Sequence, residues 1–132
     1  MSRDKKLFIN DIIECINILE IYSKDLTKEK LDNDVQIQDA IIRRIEIIGE
    51  VVKNLPIDFI EKYPKVPWSQ MAGMRDLVTH SYFRVNLDYV WEVIKKDLSV
   101  LKRQIQKIKE DLEKHEEKSH NAKKEKKRNF KE

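Results

Sequence analysis

The chain has 132 residues, of which 39% are charged and 40% are hydrophobic, and its formal net charge is +3. This length predicts one domain, and so short a chain buries only about two-thirds of its unfolded surface, so pairing with a second copy would stabilise it. The single cysteine, Cys15, excludes an internal disulfide, and no apolar run approaches the roughly 18 residues of a membrane span. The first residues lack the apolar block of a signal peptide, so we expect a cytoplasmic protein that makes no use of a membrane.

Helix is the structure that the first half of the sequence favours. The chain has only two glycines and no Asn-Gly or Asp-Gly turn, so it offers little for hairpins. Apolar residues at helical period predict a first helix over residues 7–22 and a second over residues 35–55. Between them, Thr27 is a suitable N-cap for a short connecting segment that ends at Leu31.

Three prolines divide the middle of the chain and precede a long last helix. Pro56 predicts a short helix that ends at Tyr63, and Pro67 suits the first turn of a helix over residues 68–83. From Asn86 onward, apolar residues are spaced alternately four and three apart, which is a heptad pattern. We interpret this segment as a bundle helix that packs on its own domain, or as one whose far half meets another chain. The heptad positions are Leu87, Trp91, Ile94, Leu98, Leu101, Ile105, Ile108 and Leu112.

The apolar period stops after Leu112, which predicts a helical domain over residues 1–112 and a frayed or disordered tail over residues 113–132. The tail holds eight basic and five acidic side chains, and the domain holds 19 of each. The domain is therefore neutral, so an RNA contact would have to come from a local cluster, from the tail or from a composite surface.

Metal ligands are too few for an ordinary zinc site, because the chain has one cysteine and three histidines. His115 and His120 are five residues apart, so on one helix their side chains point about 140° apart and cannot share an ion. We therefore predict no metal and no cofactor.

One segment combines side chains suited to phosphate chemistry: Arg75, Asp76, His80 and Tyr82. A guanidinium matches phosphate oxygens, and an imidazole transfers protons near neutral pH. Asp76 and His80 are four residues apart, so the carboxylate could accept a hydrogen bond from the imidazole. From composition alone, an ordinary helix salt bridge beside a satisfied histidine explains the same residues.

The segment also resembles the signature of the HepT-like family in the HEPN superfamily. A second stretch, residues 38–50 (QDAIIRRIEIIGE), resembles the second long helix of that family, and the likeness extends over about residues 3–110. The matching positions around the motif are Arg75, His80 and Tyr82, preceded by Pro67-Trp68 and Gly73-Met74.

This resemblance implies an all-α, HEPN-type up-and-down helical bundle that forms a homodimer and acts as a metal-independent endoribonuclease. It further implies the toxin half of a toxin–antitoxin pair, whose partner is a small nucleotidyltransferase antitoxin. If the roles of the family's motif residues apply at the matching positions, Arg75 and His80 are catalytic and Tyr82 receives AMP from the antitoxin. Asp76 would support the site.

The spacing of the motif raises a geometric question, because Arg75 and His80 diverge by about 140° on one ideal helix. Bending of the arginine, a break in the helix near residues 78–79, or a second chain that places its motif opposite the first could each bring them to one phosphate. The dimer is the most economical of these. Two other interpretations stay open: a non-catalytic helical dimer that binds and regulates a nucleotidyltransferase, and a structural coiled coil.

Overall fold

The computed structural model describes residues 2–79 and 86–131. All regular structure in these ranges is helical, which confirms the predicted all-α bundle with a long C-terminal helix. The elements are α1 (Ser2–Ser23), α2 (Lys28–Asn33), α3 (Val35–Lys53), α4 (Ile57–Lys62), α5 (Trp68–Thr79), α6 (Leu87–Glu92), a π-helical segment (Val93–Asp97) and α7 (Leu98–Lys131).

The core lies where α1 packs between α3 and α7. Each of these helices contributes apolar residues three or four positions apart, which form one buried face per helix. Two ion pairs join α1 to α7: Lys6 Nζ lies 2.8 Å from Glu116 Oε2, and Lys102 Nζ lies 2.7 Å from Glu20 Oε1. The earlier residue of α1 pairs with the later residue of α7, so the two helices are antiparallel. The most deeply buried residues of α1, α3 and α7 are Ile9, Ile12, Ile16, Leu19, Ile41, Ile45, Ile48, Ile105 and Ile108.

The helix starts follow local capping chemistry. The Thr27 hydroxyl oxygen accepts a hydrogen bond from the Lys30 N–H at 3.1 Å, which confirms the predicted cap of the connecting helix. Pro56 precedes α4 as predicted. The side chain of Asn86 accepts from the Tyr89 N–H at 3.1 Å and so caps α6. These polar caps satisfy backbone donors that the first helical turn leaves without partners.

The predicted heptad segment is interrupted, because its helix changes to π geometry over Val93–Asp97. The Leu98 N–H donates to the Val93 carbonyl, five residues earlier, so this turn contains one extra residue. Downstream, Leu98, Leu101, Ile105 and Ile108 are buried as predicted, and Leu112 is half-buried. Before and at the start of the π turn, Val90 and Val93 are buried in full, whereas Trp91 is only half-buried. The extra residue thus rotates the upstream face relative to the predicted one.

The end of the chain differs from the predicted frayed or disordered tail, since α7 continues as a helix to Lys131. Lysine and glutamate have good intrinsic helix propensity, so a helix can continue where its apolar face has ended. The ion pair between Lys6 and Glu116 also fastens α7 beyond Leu112. The division at residue 112 into a domain and a tail stays a prediction. Within the described ranges, no helix is both long and apolar enough to cross a membrane.

Candidate functional site

Helix α5 carries the first half of the motif and is held by its buried face. Trp68, Met71 and Met74 recur every three residues and are at most 5% exposed. The indole N–H of Trp68 donates to the Tyr63 carbonyl at 3.0 Å, and the Trp68 ring centroid lies 6.3 Å from that of Phe59. These contacts fix the start of α5 against the preceding short helix. Arg75 directly follows the last of the buried residues and therefore lies at the edge of the buried face.

Gly49 brings α3 unusually close to α5 at this point. A Cβ built on Gly49 would lie 3.3 Å from the Arg75 Cβ and 3.3 Å from the Met71 carbonyl oxygen. Such distances are tighter than ordinary van der Waals contact, so a side chain here would press the two helices apart. The close approach places the Arg75 side chain directly against α3.

Glu50, the residue after Gly49, lies beside the guanidinium. Arg75 Nη1 is 3.9 Å from Glu50 Oε1, and each side chain is 44% exposed. Such a partly solvated pair contributes about 0–1 kcal/mol to stability, so its consequence is mainly to restrain the guanidinium. The Arg75 side chain is thus partly accessible to solvent. The motif pattern does not single out Glu50, although this residue ends the stretch QDAIIRRIEIIGE that carries part of the family resemblance.

Asp76 lies beside Lys53 of α3. Asp76 Oδ1 is 3.9 Å from Lys53 Nζ, and both side chains are about half exposed. The two adjacent residues of α5, Arg75 and Asp76, thus face opposite charges that are three residues apart on α3. The predicted hydrogen bond from His80 to Asp76 stays a prediction, because His80 lies outside the described residues.

Tyr82 also lies outside the described residues, as does the predicted end of the helix at Phe83. The structure therefore brings together Arg75 and Asp76 of the four motif residues. It places them at the C-terminal part of α5, next to the C-terminal part of α3.

Other reactive groups in the described ranges lie apart from this position. Cys15 is 2% exposed, and burial raises the pKa of its thiol despite a hydrogen bond with Arg44, so it is a poor nucleophile. No three His, Cys, Asp or Glu side chains among residues 2–79 and 86–131 converge as a metal site would require. A half-open cavity between α5 and the start of α7 is lined by residues that include Met71, Met74 and Tyr89, but not by Arg75.

Comparison with known proteins gives one consistent family. The family model described as "Ribonuclease HepT-like" matches residues 12–108. A Methanocaldococcus jannaschii protein named "Gamma-glutamylcyclotransferase and putative RNase" is 47% identical over 122 residues, which cover 92% of this chain and 55% of that longer protein. A second protein of that organism, named "Putative RNase", is 38% identical over 89% of this chain and 98% of its own length.

A Thermococcus cleftensis protein named "Probable ribonuclease HepT" is 39% identical over 108 residues, which cover 82% of this chain and 98% of the relative. The chain spans only about half of the first Methanocaldococcus jannaschii relative. The cyclotransferase activity in the name of that relative therefore refers to the longer protein alone. No solved structure matches the chain.

Proposed function

This chain belongs to the HepT-like ribonuclease family, and on that basis we propose that it is an endoribonuclease that cleaves RNA without a metal ion. The observation that carries the proposal is the placement of Arg75, half exposed and restrained by Glu50, at the first position of the motif. A permanent cation that is both held and accessible can bind a phosphodiester, because a guanidinium donates two parallel hydrogen bonds to phosphate oxygens.

In the proposed mechanism His80 acts first as a general base on a ribose 2′-hydroxyl. As the proton moves to the imidazole, the 2′-oxygen forms a bond to phosphorus and the bond from phosphorus to the 5′-oxygen breaks. The imidazolium then returns a proton to the leaving 5′-oxygen, which gives a 2′,3′-cyclic phosphate and a free 5′-hydroxyl. Arg75 stabilises the charge that develops on the phosphate, and proton transfer of this kind typically contributes about 10²–10⁴-fold.

We further propose that the protein is the toxin of a toxin–antitoxin pair, and that a nucleotidyltransferase antitoxin neutralises it by attaching AMP to Tyr82. On the helix that the sequence predicts over residues 68–83, Tyr82 is seven residues from Arg75 and would point in nearly the same direction. An adenylyl group there would put a second phosphate where the RNA phosphate binds. Like charges would then compete for the same guanidinium, and RNA would be excluded.

The decisive experiment is cleavage of mixed RNA by the purified protein in excess EDTA. We expect cleavage by the parent protein and none by Arg75→Ala or His80→Ala, because each removes one half of the mechanism. Arg43→Ala is the matched control, since Arg43 is an exposed arginine of α3 whose partner is Glu46 at 3.8 Å. Circular dichroism should show that all three variants remain folded.

The outcomes separate the possible functions. Cleavage that persists in both motif variants would refute the assigned roles. A folded parent that cleaves no RNA but binds a nucleotidyltransferase would instead be the non-catalytic regulator. Loss of cleavage with EDTA alone would refute metal independence.

A further inference from the structure

The C-terminal part of α7 extends past the body of the bundle. Lys6 and Glu20 of α1 are 14 residues apart, and so are their partners on α7, Lys102 and Glu116. The antiparallel register is therefore constant, and Ser2, the first residue of α1, lies opposite residue 120. Residues 121–131 continue as helix with no part of α1 beside them. At 1.5 Å per residue, this segment is about 16 Å long, and we call it the C-terminal arm.

An ion pair attaches α7 to α1 just before the arm begins. Lys6 and Glu116 form a 2.8 Å ion pair five residues before the arm begins. The hydrogen bond to Glu116 raises the pKa of Lys6 above its usual value. The direction of the arm is thus set by the same packing that sets the bundle.

The arm leaves the bundle at the end where Arg75 lies. The 22 residues of α1 are about 33 Å long. Lys5 Nζ, near the start of α1, lies 5.7 Å from the centroid of the Phe59 ring, and Phe59 follows the end of α3 by six residues. Helix α3 therefore ends beside the start of α1 and runs antiparallel to it. The C-terminal part of α3, with Glu50 and Lys53, therefore lies at the end of the bundle that holds the start of α1. Residue 120 of α7 lies at that same end.

The charge of the arm contrasts with that of the body. Residues 121–131 contain six basic residues and one acidic residue, whereas residues 1–112 contain 19 of each sign. Essentially all of the positive excess is therefore carried on a helix that projects from the end near Arg75. Six positive charges over about 16 Å match a polymer with regularly spaced phosphates better than a compact ligand with one negative charge.

We propose that the C-terminal arm binds the phosphate backbone of RNA and holds the strand near Arg75. The choice of RNA as the polyanion depends on the proposed function, while the position and charge of the arm do not. Backbone contacts of this kind position a strand without reading its sequence. The arm thus supplies affinity, and the motif residues supply the chemistry.

The test measures binding of a fluorescein-labelled single strand of about 20 nucleotides that carries 2′-O-methyl groups. Without a free 2′-hydroxyl the strand cannot be cut by the proposed mechanism, so affinity is measured separately from cleavage. The arm variant replaces four lysines by glutamine, which keeps the helix propensity and removes the charge. Its substitutions are Lys123→Gln, Lys124→Gln, Lys126→Gln and Lys127→Gln.

A control variant carries the same number of identical changes at exposed lysines outside the arm. These are Lys24→Gln, Lys62→Gln, Lys107→Gln and Lys114→Gln. Both variants lose the same net charge, so a difference between them reports the position of the charges. Cleavage of a short RNA of a few nucleotides, which is too short to reach the arm, is measured on all three proteins.

We expect the arm variant to bind at least about tenfold more weakly than the control at low salt. The slope of log Kd against log salt should fall by about 0.7 for each lysine that contacts a phosphate, and hence by up to about 3. Cleavage of the short RNA should be unchanged by the arm variant. Equal affinity and slope in both variants would overturn the proposal, as would unchanged RNA binding with lost affinity for a nucleotidyltransferase. A parent that binds RNA through the arm but cuts none would refute the proposed function alone.

Discussion

The two glycines occupy neighbouring helices but have different surroundings. A Cβ on Gly49 of α3 would lie 3.3 Å from both the Arg75 Cβ and the Met71 carbonyl oxygen, whereas a Cβ on Gly73 of α5 would meet no described atom within 4 Å. Neither glycine has the positive φ that only glycine adopts readily. Gly49 is therefore required for close helix packing, and Gly73 is not required by any contact described here.

This difference predicts opposite effects of the same substitution. Gly73→Ala should stabilise the protein by about 0.5–1 kcal/mol, because alanine restricts the unfolded chain and favours helix. Gly49→Ala gains the same helix propensity, but the new methyl group must displace α5 by a few tenths of an ångström. The free energy of unfolding of Gly49→Ala should therefore be at least about 1 kcal/mol lower than that of Gly73→Ala. Urea denaturation gives both values. Equal stabilisation by the two substitutions would contradict the close approach of α3 and α5.

A second prediction concerns the restraint on Arg75. Glu50→Gln keeps the shape of the side chain and removes its charge, so we expect the free energy of unfolding to change by less than about 1 kcal/mol. Cleavage should fall several-fold through kcat rather than KM, because a less restrained guanidinium is aligned with the reacting phosphate for less of the time. Glu46→Gln is the matched control, since Glu46 lies one turn earlier on α3 and pairs with Arg43. Equal kinetics of the two variants would remove Glu50 from the site.

The sequence predicted the helices well where one local signal was sufficient. Thr27 and Asn86 are N-caps because their side chains accept from the backbone N–H group three residues ahead, which is a local interaction. The π-helical turn could not be predicted in this way. An unbroken spacing of four and three favours a regular helix, whereas the structure has an extra residue in Val93–Asp97 and buries Val90 and Val93, which lie outside that spacing.

The same limit applies to the candidate site. The sequence identified Arg75 and Asp76 as chemically suitable, and the structure places them together at the edge of α5. It could not identify their neighbours Glu50 and Lys53, because packing of α3 on α5 joins residues that are more than 20 positions apart. A contact of this kind depends on Gly49 in the fold and has no periodic signature in the chain.

The π turn predicts that one residue can be deleted there with little loss. Removal of Lys96, which is exposed, would leave buried positions spaced alternately three and four apart across the junction, as in a regular α-helix. We expect the deletion to leave the melting temperature nearly unchanged. Deletion of the exposed Arg103, in regular α7, would rotate Ile105 and Ile108 by about 100° and cost several kcal/mol. Equal destabilisation by the two deletions would contradict the role of the extra residue.

The position of Arg75 bears on how the candidate site is completed. Its side chain is 44% exposed and lies against α3 within the described part of the chain. A phosphate bound there would have one side against α3 and α5. A second copy that covers the other side of the phosphate would exclude water. It could also supply the imidazole, because Arg75 and His80 diverge by about 140° on one ideal helix.

This arrangement predicts complementation between two inactive variants. In a twofold-symmetric dimer whose sites each combine Arg75 of one chain with His80 of the other, a mixed dimer of Arg75→Ala and His80→Ala chains retains one intact site. Random pairing makes half of the dimers mixed, each with one of two sites intact, so co-expression should restore about a quarter of the parent activity. Two differently tagged chains, purified through both tags, allow the mixed dimer to be assayed alone, and it should show about half the parent activity. If both residues act within one chain, every site in the mixed dimer lacks one of them, and no cleavage returns.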